Sequence, residues 1–221
     1  MNALIQFYAN PNNNFWGQTL AYLEICGLSI ALAIVIGVVL GTAVSRSPVM
    51  AFIALNLSGL LRAIPIIAFL IAALPLLGIG FKPTVVALII IGIPPILLNT
   101  YTAFRGIDPA TIDAAKGLGL TTWQIITRIQ IPLVLPIVAA GVRTSAVQIE
   151  ATATIAAIIG AGGYGDYIVD GLYTLNITEI FAGVIPVAVL AMLIELFMGW
   201  LERQLTPEGL RIQAAVETAA A

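Results

Sequence analysis

Three ionisable side chains lie inside long apolar stretches of this 221-residue sequence: Arg62, Arg143 and Glu150. A charge at membrane depth costs about 2.5–3.5 kcal/mol on insertion scales, so such side chains normally face protein or a water-filled path. Glu150 could line a path and help a cationic solute to pass, or it could form a structural ion pair. Because Arg143 lies two helical turns away, about 10 Å along one helix, Glu150 would pair with Arg62 or with a second subunit.

Polar and helix-breaking residues near these charges extend the candidate path. Pro65 interrupts an apolar run, and the backbone groups that it frees are best satisfied beside a cavity. Thr152 and Thr154 follow Glu150, and small hydroxyls either line a wet path or seal contacts between helices. The candidates for a translocation path are Arg62, Pro65, Glu150, Thr152 and Thr154. For Pro65, a packing kink is the alternative.

The residue inventory excludes most kinds of enzymatic site. The sequence has no histidine, and its one cysteine, Cys26, lies in an apolar run. A Ser-His-Asp triad, a histidine-based metal site and an internal disulfide are therefore excluded. No basic cluster is present to neutralise the phosphates of a nucleic acid. We predict no catalytic residues, no metal, no cofactor and no nucleic-acid partner.

The composition is typical of a membrane protein. The sequence is 60% hydrophobic and 9% charged, whereas soluble domains carry about 25% charged residues. Uncharged runs of bilayer-spanning length predict an all-α polytopic protein with five spans. The second span should be broken at Arg62 and Pro65, and Gly37 and Gly41 should allow close helix contact in the first. The spans are expected at residues 25–45, 49–74, 84–104, 132–159 and 179–201.

Basic residues are distributed unevenly between the loops that connect these spans. If the N-terminus lies outside, the outer side holds only Lys82. Since Lys and Arg are enriched in cytoplasmic loops, the asymmetry predicts an external N-terminus and a cytoplasmic C-terminus. The basic residues on the inner side would be Arg46, Arg105, Lys116, Arg128, Arg203 and Arg211.

The connection after the fourth span is rich in glycine and tyrosine. Residues 160–165 match the G-x-G-x-x-G pattern of dinucleotide sites, but that pattern requires a preceding strand, and here it follows an apolar helix. We interpret it as a tight turn. Tyr164, Tyr167 and Tyr173 are interpreted as an aromatic belt at the membrane interface.

The longest polar stretch between apolar runs covers residues 113–132, and its helix opens at Asp108 and Pro109. Asp108 and Pro109 form a helix start signal, with Asp as the N-cap and Pro in the first turn. Gly117 and Gly119 should end or bend this helix, and a second segment should begin at Thr121.

The same stretch could present a small-residue face to a partner. Ala114, Ala115 and Leu118 recur at helical spacing. An ordinary amphipathic helix at the membrane interface is the alternative interpretation.

In its spacing this stretch resembles the EAA signature of permeases of binding-protein-dependent (MetI-like) ABC importers. The signature reads acidic-Ala-Ala, three residues, Gly, nine residues, Ile-x-apolar-Pro. Every position is matched without a gap, although Asp113 stands where Glu is usual and Ile131 where Leu is usual. The matching residues are Asp113, Ala114, Ala115, Gly119, Ile129, Ile131 and Pro132.

The resemblance implies a type I ABC importer permease fold with five core transmembrane helices and a cytoplasmic coupling helix in loop 105–131. In that family the coupling helix docks on an ATP-binding subunit. ATP hydrolysis would then occur on a separate chain, and the missing Walker A pattern agrees with this. Further implied partners are a second permease subunit, identical or different, an extracytoplasmic solute-binding protein and the bacterial inner membrane. The implied coupling residues are Asp113, Ala114, Ala115, Gly117, Leu118 and Gly119.

Within this family the sequence is similar to the osmoprotectant branch, whose members import glycine betaine, choline or carnitine. The similarity covers about residues 31–206 and includes the segments 99–102, 105–109, 143–144, 151–154 and 159–163. Two positions depart from that branch, which normally has a small residue in place of Glu150 and polar residues beside Pro65. The implied solute is therefore an osmoprotectant, with an amino acid or another small solute as the alternative.

The expected domain organisation has three regions. Residues 1–24 form an extracytoplasmic segment, residues 25–206 the transmembrane permease domain, and residues 207–221 a cytoplasmic tail. An ion-coupled secondary transporter that uses Glu150 is the rival from another class, although no inverted repeat is evident. No enzymatic activity is expected of this chain.

Overall fold

The computed structural model describes residues 2–206, and every regular element in them is helical. The tail at 207–221, including Arg211, lies outside the described residues. Short 3-10 turns occur at Pro11–Asn13 and Thr154–Ile159, and a π-helical turn occurs at Ile126–Gln130. The α-helices are α1 (Asn2–Ala9), α2 (Phe15–Val44), α3 (Pro48–Ala63), α4 (Ile66–Leu77), α5 (Phe81–Arg105), α6 (Pro109–Gly117), α7 (Thr122–Ile125), α8 (Ile131–Ala153), α9 (Tyr164–Thr174) and α10 (Ile177–Leu205).

The predicted membrane architecture is confirmed for the described part of the chain. Four continuous helical stretches are long and apolar enough to cross a bilayer: Pro11–Val44, Phe81–Arg105, Thr122–Ile159 and Ile177–Leu205. A fifth crossing results if α3 and α4 form one broken span, because these two helices meet at 94°. The break falls at Ile64 and Pro65, where both residues have extended backbone angles.

Helix α2 begins at Phe15, ten residues before the start of the predicted first span at Ile25. In the asparagine-rich segment before it, the Asn10 side chain accepts a hydrogen bond from the backbone N–H of Asn12 and caps a short turn. Helix α2 then starts at once and carries Glu24 on an exposed face. The expected boundary between residues 24 and 25 therefore falls inside α2.

Two ends of the helical bundle can be defined by their connections. At the end that carries α9, the backbone N–H of Gly163 donates to Gln18 Oε1 at 2.6 Å. At the same end the N–H of Gly80 donates to the carbonyl of Ile159 at 2.9 Å. Helices α2, α5 and α10 run from this α9 end towards the opposite end, which carries α6, and α8 runs back.

Glycines allow the central helices α2 and α5 to approach closely, as the Gly37 and Gly41 spacing predicts. A Cβ atom on Gly41 would lie 2.6 Å from Thr100 Cβ, and one on Gly37 would lie 2.8 Å from Ile96 Cβ. Real Cβ atoms do not make such short contacts, so a larger residue would force the helices apart.

The predicted aromatic belt is wrong for two of its three tyrosines. Tyr164 and Tyr167 are each only 6% exposed and pack in the core at the α9 end. The Tyr164 ring lies 4.9 Å from that of Tyr22, and the Tyr167 hydroxyl donates to the carbonyl of Asn13 at 2.6 Å. Tyr173 is 85% exposed, so it alone fits an interfacial position.

Candidate functional site

The loop between α5 and α8 folds as its sequence predicts. Asp108 caps α6 by accepting a hydrogen bond from the N–H of Ala110 at 2.9 Å, and Pro109 occupies the first turn. The helix ends at Gly117, and Gly119 has a φ of +79°, a conformation that favours glycine. Thr121 then caps α7 in a reciprocal pair of hydrogen bonds with Gln124.

Five of the six predicted coupling residues are exposed, and together they form the α6 surface: Asp113, Ala114, Gly117, Leu118 and Gly119. Ala115 is only 4% exposed and faces the chain. Leu118 is 81% exposed, and no atom lies within 4 Å of a Cβ added to Gly117 or Gly119. The α6 surface is therefore open, small and partly apolar.

The charges of this loop contribute little to its stability. Lys116 Nζ lies 3.0 Å from Asp113 Oδ1, but both side chains are mostly exposed to solvent. Exposed pairs of this kind contribute about 0–1 kcal/mol. The helix caps and the backbone turn at Gly119 thus account for the shape of the α6 surface better than the ion pair between Lys116 and Asp113 does.

Arg62 and Pro65 lie at the break between α3 and α4, and both are exposed. Arg62 borders a groove of about 220 Å³ with Ser58 and Pro94. Within residues 2–206 Arg62 forms no salt bridge. The ion pair between Arg62 and Glu150, one of the two expected alternatives, is therefore not formed in this structure.

Glu150 is fully buried, with no exposed surface. It faces α2, where the Tyr22 hydroxyl donates to the Glu150 backbone carbonyl at 2.6 Å and lies 3.4 Å from its Oε1 atom. Its Oε2 atom has no hydrogen-bond partner among the described residues. Glu150 thus joins α8 to α2 within one chain.

The two threonines that follow Glu150 use their hydroxyls locally. Thr152 donates to the carbonyl of Gln148 at 2.6 Å, and Thr154 donates to that of Ala151 at 2.9 Å. Thr154 also begins the 3-10 turn at the end of α8. The predicted path residues therefore occupy three different settings: the α3–α4 break, the buried α2–α8 contact and the end of α8.

A charged cluster that sequence reasoning missed joins α8 to α10. Arg143 donates from Nε and Nη2 to Oε1 of Glu195, and from Nη1 to Oε2 of Glu202 at 3.1 Å. Glu195 lies inside the predicted fifth span and is, like Arg143, an ionisable residue at membrane depth. Its presence in an apolar run was the signal that could have identified it.

Three features of the described residues bear on function: a surface, a helix break and a charged cluster. No group of three His, Cys, Asp or Glu residues within the described range could hold a metal ion. The three features are the exposed α6 surface, the break between α3 and α4, and the charged cluster that joins α8 to α10.

Comparison with known proteins agrees with this architecture. The chain matches the family described as "Binding-protein-dependent transport system inner membrane component" over residues 33–207. It is 38% identical over 211 residues to the carnitine transport permease protein OpuCB of Listeria monocytogenes, covering 96% of this chain and 97% of that protein. It is 36% identical, with the same coverage, to the glycine betaine/carnitine/choline transport system permease protein OpuCB of Bacillus subtilis.

Solved structures support the same fold. An inward-facing structure of the MetNI methionine ABC transporter aligns with a TM-score of 0.74 at 21% identity, covering 85% of this chain and 94% of that chain. An amino acid ABC transporter aligns with a TM-score of 0.69 at 16% identity, covering 86% and 93% of the two chains. The similar fold, and above all the match along most of the sequence, lead to one conclusion: this chain belongs to the binding-protein-dependent transport system inner membrane component family, the permease component of ABC importers.

Proposed function

We propose that this chain is a permease subunit of an ABC importer for an osmoprotectant with a quaternary amine, such as carnitine, choline or glycine betaine. The observation that carries the proposal is the similarity along 96% of the chain to permeases named for those solutes. Import of an amino acid or another small solute is the alternative.

The α6 surface is our candidate for the contact with a separate ATP-binding subunit. Ala114, Gly117 and Gly119 leave space for a partner, and Leu118 offers an apolar side chain that nothing in residues 2–206 covers. Asp113 would add a charge at the rim. ATP binding would close the pair of partner subunits, and the capped helix α6 would pass that rigid-body movement to α5 and α8.

The distribution of charge supports the proposed orientation. Arg46, Arg105, Lys116, Arg128 and Arg203 are exposed and lie at the α6 end, whereas Lys82 lies at the α9 end. By the positive-inside rule, we propose that the α6 end lies in the cytoplasm and that the chain spans a bacterial inner membrane. The N-terminal helix α1 and helix α9 would lie outside, where an extracytoplasmic solute-binding protein could reach them.

A second permease subunit, identical or different, would complete the path at a shared axis. Alternating access would then be a two-state equilibrium that the nucleotide and the solute-binding protein bias. The break at Pro65, with exposed Arg62 beside it, is our candidate for a movable wall of the path. Thr152 and Thr154 lie near its proposed outer end, and Glu150 would act by holding α8 on α2.

A pair of glycine substitutions tests the coupling role. Gly119 and Gly160 both have positive φ, +79° and +70°, and neither has an atom within 4 Å of an added Cβ. Leucine at either position therefore adds similar backbone strain, about 1–2 kcal/mol. Gly160 lies at the α9 end, so Gly160→Leu is a matched control for Gly119→Leu.

The assay is solute-stimulated ATPase activity of the assembled transporter in proteoliposomes. We expect Gly119→Leu to abolish the stimulation, because the side chain would occupy the contact with the ATP-binding subunit, whereas Gly160→Leu should retain it. Equal activity of the two variants would show that the α6 surface does not transmit the ATPase movement.

A further inference from the structure

A polar groove of about 510 Å³ lies between α8 and α10 on the surface of the chain. On α8 the lining residues recur at about one helical turn and include Arg143, Thr144 and Gln148, and on α10 they are Glu195 and Glu202, two turns apart. Gly199 lies between the two glutamates, and the Arg143 guanidinium passes 3.5 Å from where its Cβ would be. The guanidinium therefore packs at van der Waals distance over Gly199.

The centre of this groove lies at membrane depth. Glu195 is ten residues from the end of α10 at Leu205, which is about 15 Å along the helix axis. The 29-residue helix is about 43 Å long, whereas the hydrocarbon core of a bilayer is about 30 Å thick. Glu195 therefore lies inside the apolar layer, and Glu202 lies near its edge.

The charges of the groove are only partly shielded by the chain itself. The side chains of Arg143, Glu195 and Glu202 are 35%, 46% and 30% exposed. Ionised side chains do not face lipid at this depth, so this face of α8 and α10 must border water or another protein.

The groove also has an unbalanced charge. Its one cation, Arg143, pairs with both carboxylates, and no further Lys or Arg of the described chain lies within salt-bridge distance of them. Arg143 engages Oε1 of Glu195 and Oε2 of Glu202, and the two remaining carboxylate oxygens have no partner within residues 2–206. One negative charge is therefore left without a counter-charge.

We propose that this groove is an intramembrane solute site that accepts a quaternary ammonium group, with the Glu195 carboxylate as its counter-charge. Glu195 is the more exposed and more deeply placed carboxylate, whereas Glu202 holds Arg143 from the other side. A quaternary ammonium group has no N–H donor and cannot form a hydrogen bond. A carboxylate is still a suitable partner, because its Coulomb attraction to the cation does not depend on a donor. The proposal deepens the proposed function, on which it rests, by assigning this face of the permease to the path.

Charge-selective labelling tests the site without requiring transport. The Gln148→Cys substitution places a thiol on the groove wall, and Cys26→Ser removes the buried native thiol. The full chain, assembled with its partner subunits in membrane vesicles, is treated with two methanethiosulfonate reagents of similar size. One reagent carries a trimethylammonium group and the other a sulfonate.

Glu195→Gln is then added to the Gln148→Cys variant. We expect the ratio of the trimethylammonium rate to the sulfonate rate to fall by about tenfold, since a tenfold change needs only about 1.4 kcal/mol, within reach of a single nearby charge. Choline should slow the labelling of the Gln148→Cys variant and have much less effect once Glu195 is replaced. Glu179→Gln is the matched control. Glu179 lies on the same helix as Glu195 but 16 residues from it, which is about 24 Å along the helix axis and longer than the distance over which salt screens charges.

Either of two results would overturn the proposal. If neither reagent labels the Gln148→Cys variant, the groove is covered by lipid or protein. If Glu195→Gln changes the ratio no more than Glu179→Gln does, the carboxylate only joins the two helices. Neither result bears on whether ATP drives uptake by the transporter, which is measured separately, so the failure of this inference is distinguishable from failure of the proposed function.

Discussion

Replacement of Glu150 tests the account of the contact between α2 and α8. The Tyr22 hydroxyl has a single hydrogen, and the backbone carbonyl of Glu150 accepts it at 2.6 Å. The Glu150 Oε1 atom, 3.4 Å from the same hydroxyl, can therefore form a hydrogen bond only if the side chain donates to the Tyr22 oxygen. A neutral side chain with a donor satisfies this arrangement, and a glutamine provides one at nearly the same volume.

The magnitudes follow from the burial of the site. Glu150→Gln keeps the shape and a donor, so we expect a loss of less than about 1 kcal/mol in the free energy of unfolding. Glu150→Ala empties a fully buried site and should cost about 2–5 kcal/mol, as large-to-small core substitutions do. Glu150→Lys would bury a cation beside Tyr22 and Cys26 in place of the carboxyl group, a cost of about 3–5 kcal/mol.

The assay is thermal unfolding of the purified chain in detergent, followed by tryptophan fluorescence. In a chain of this size each kcal/mol shifts the midpoint by about 2–4 °C, so the alanine and lysine variants should be separated clearly from the glutamine variant. A glutamine variant as unstable as the alanine variant would contradict the proposed role of a neutral donor. A lysine variant of native stability would show that the site is not closed to water.

Two further substitutions probe the packing and the pH response. Gly41→Ala should destabilise the chain by about 1–3 kcal/mol, because its Cβ would lie 2.6 Å from Thr100 Cβ. A Cβ added to Gly27 meets nothing within 4 Å among the described residues. Gly27→Ala should therefore be neutral or stabilising in the same thermal assay. Burial raises the pKa of Tyr167 to about 12, whereas a tyrosine in the unfolded chain has a pKa of about 10. Because the unfolded chain loses this proton first, the free energy of unfolding should fall as pH rises from about 10 to 12. Tyr167→Phe should weaken that fall, and it should also remove the hydrogen bond to Asn13. The measurement is the unfolding midpoint as a function of pH. An unchanged pH dependence would exclude Tyr167 as its source.

Features set by local chemistry were predictable from the sequence. The start of α6 at Asp108 and Pro109, its end at Gly117 and the turn at Gly119 all follow from capping and glycine conformation. The break at Pro65 was also expected. Its angle of 94° was not, because a proline interrupts a helix without fixing the direction in which the next helix leaves.

Features set by packing between distant helices were not predictable. Helical periodicity places Glu150 on a face of α8, but only the assembled fold shows that this face meets Tyr22 of α2. Arg143 likewise finds its partners 52 and 59 residues away on α10. Tyr164 and Tyr167 were assigned to the membrane interface from residue type, yet the contacts of α9 with α2 and the N-terminal turn bury them.

Uptake of radiolabelled choline into proteoliposomes that contain the complete transporter tests the central claim most directly. The account predicts uptake that requires ATP, the ATP-binding subunit and the solute-binding protein, and that Gly119→Leu abolishes. Uptake by this chain without an ATP-binding subunit, driven by an ion gradient and abolished by Glu150→Gln, would contradict it.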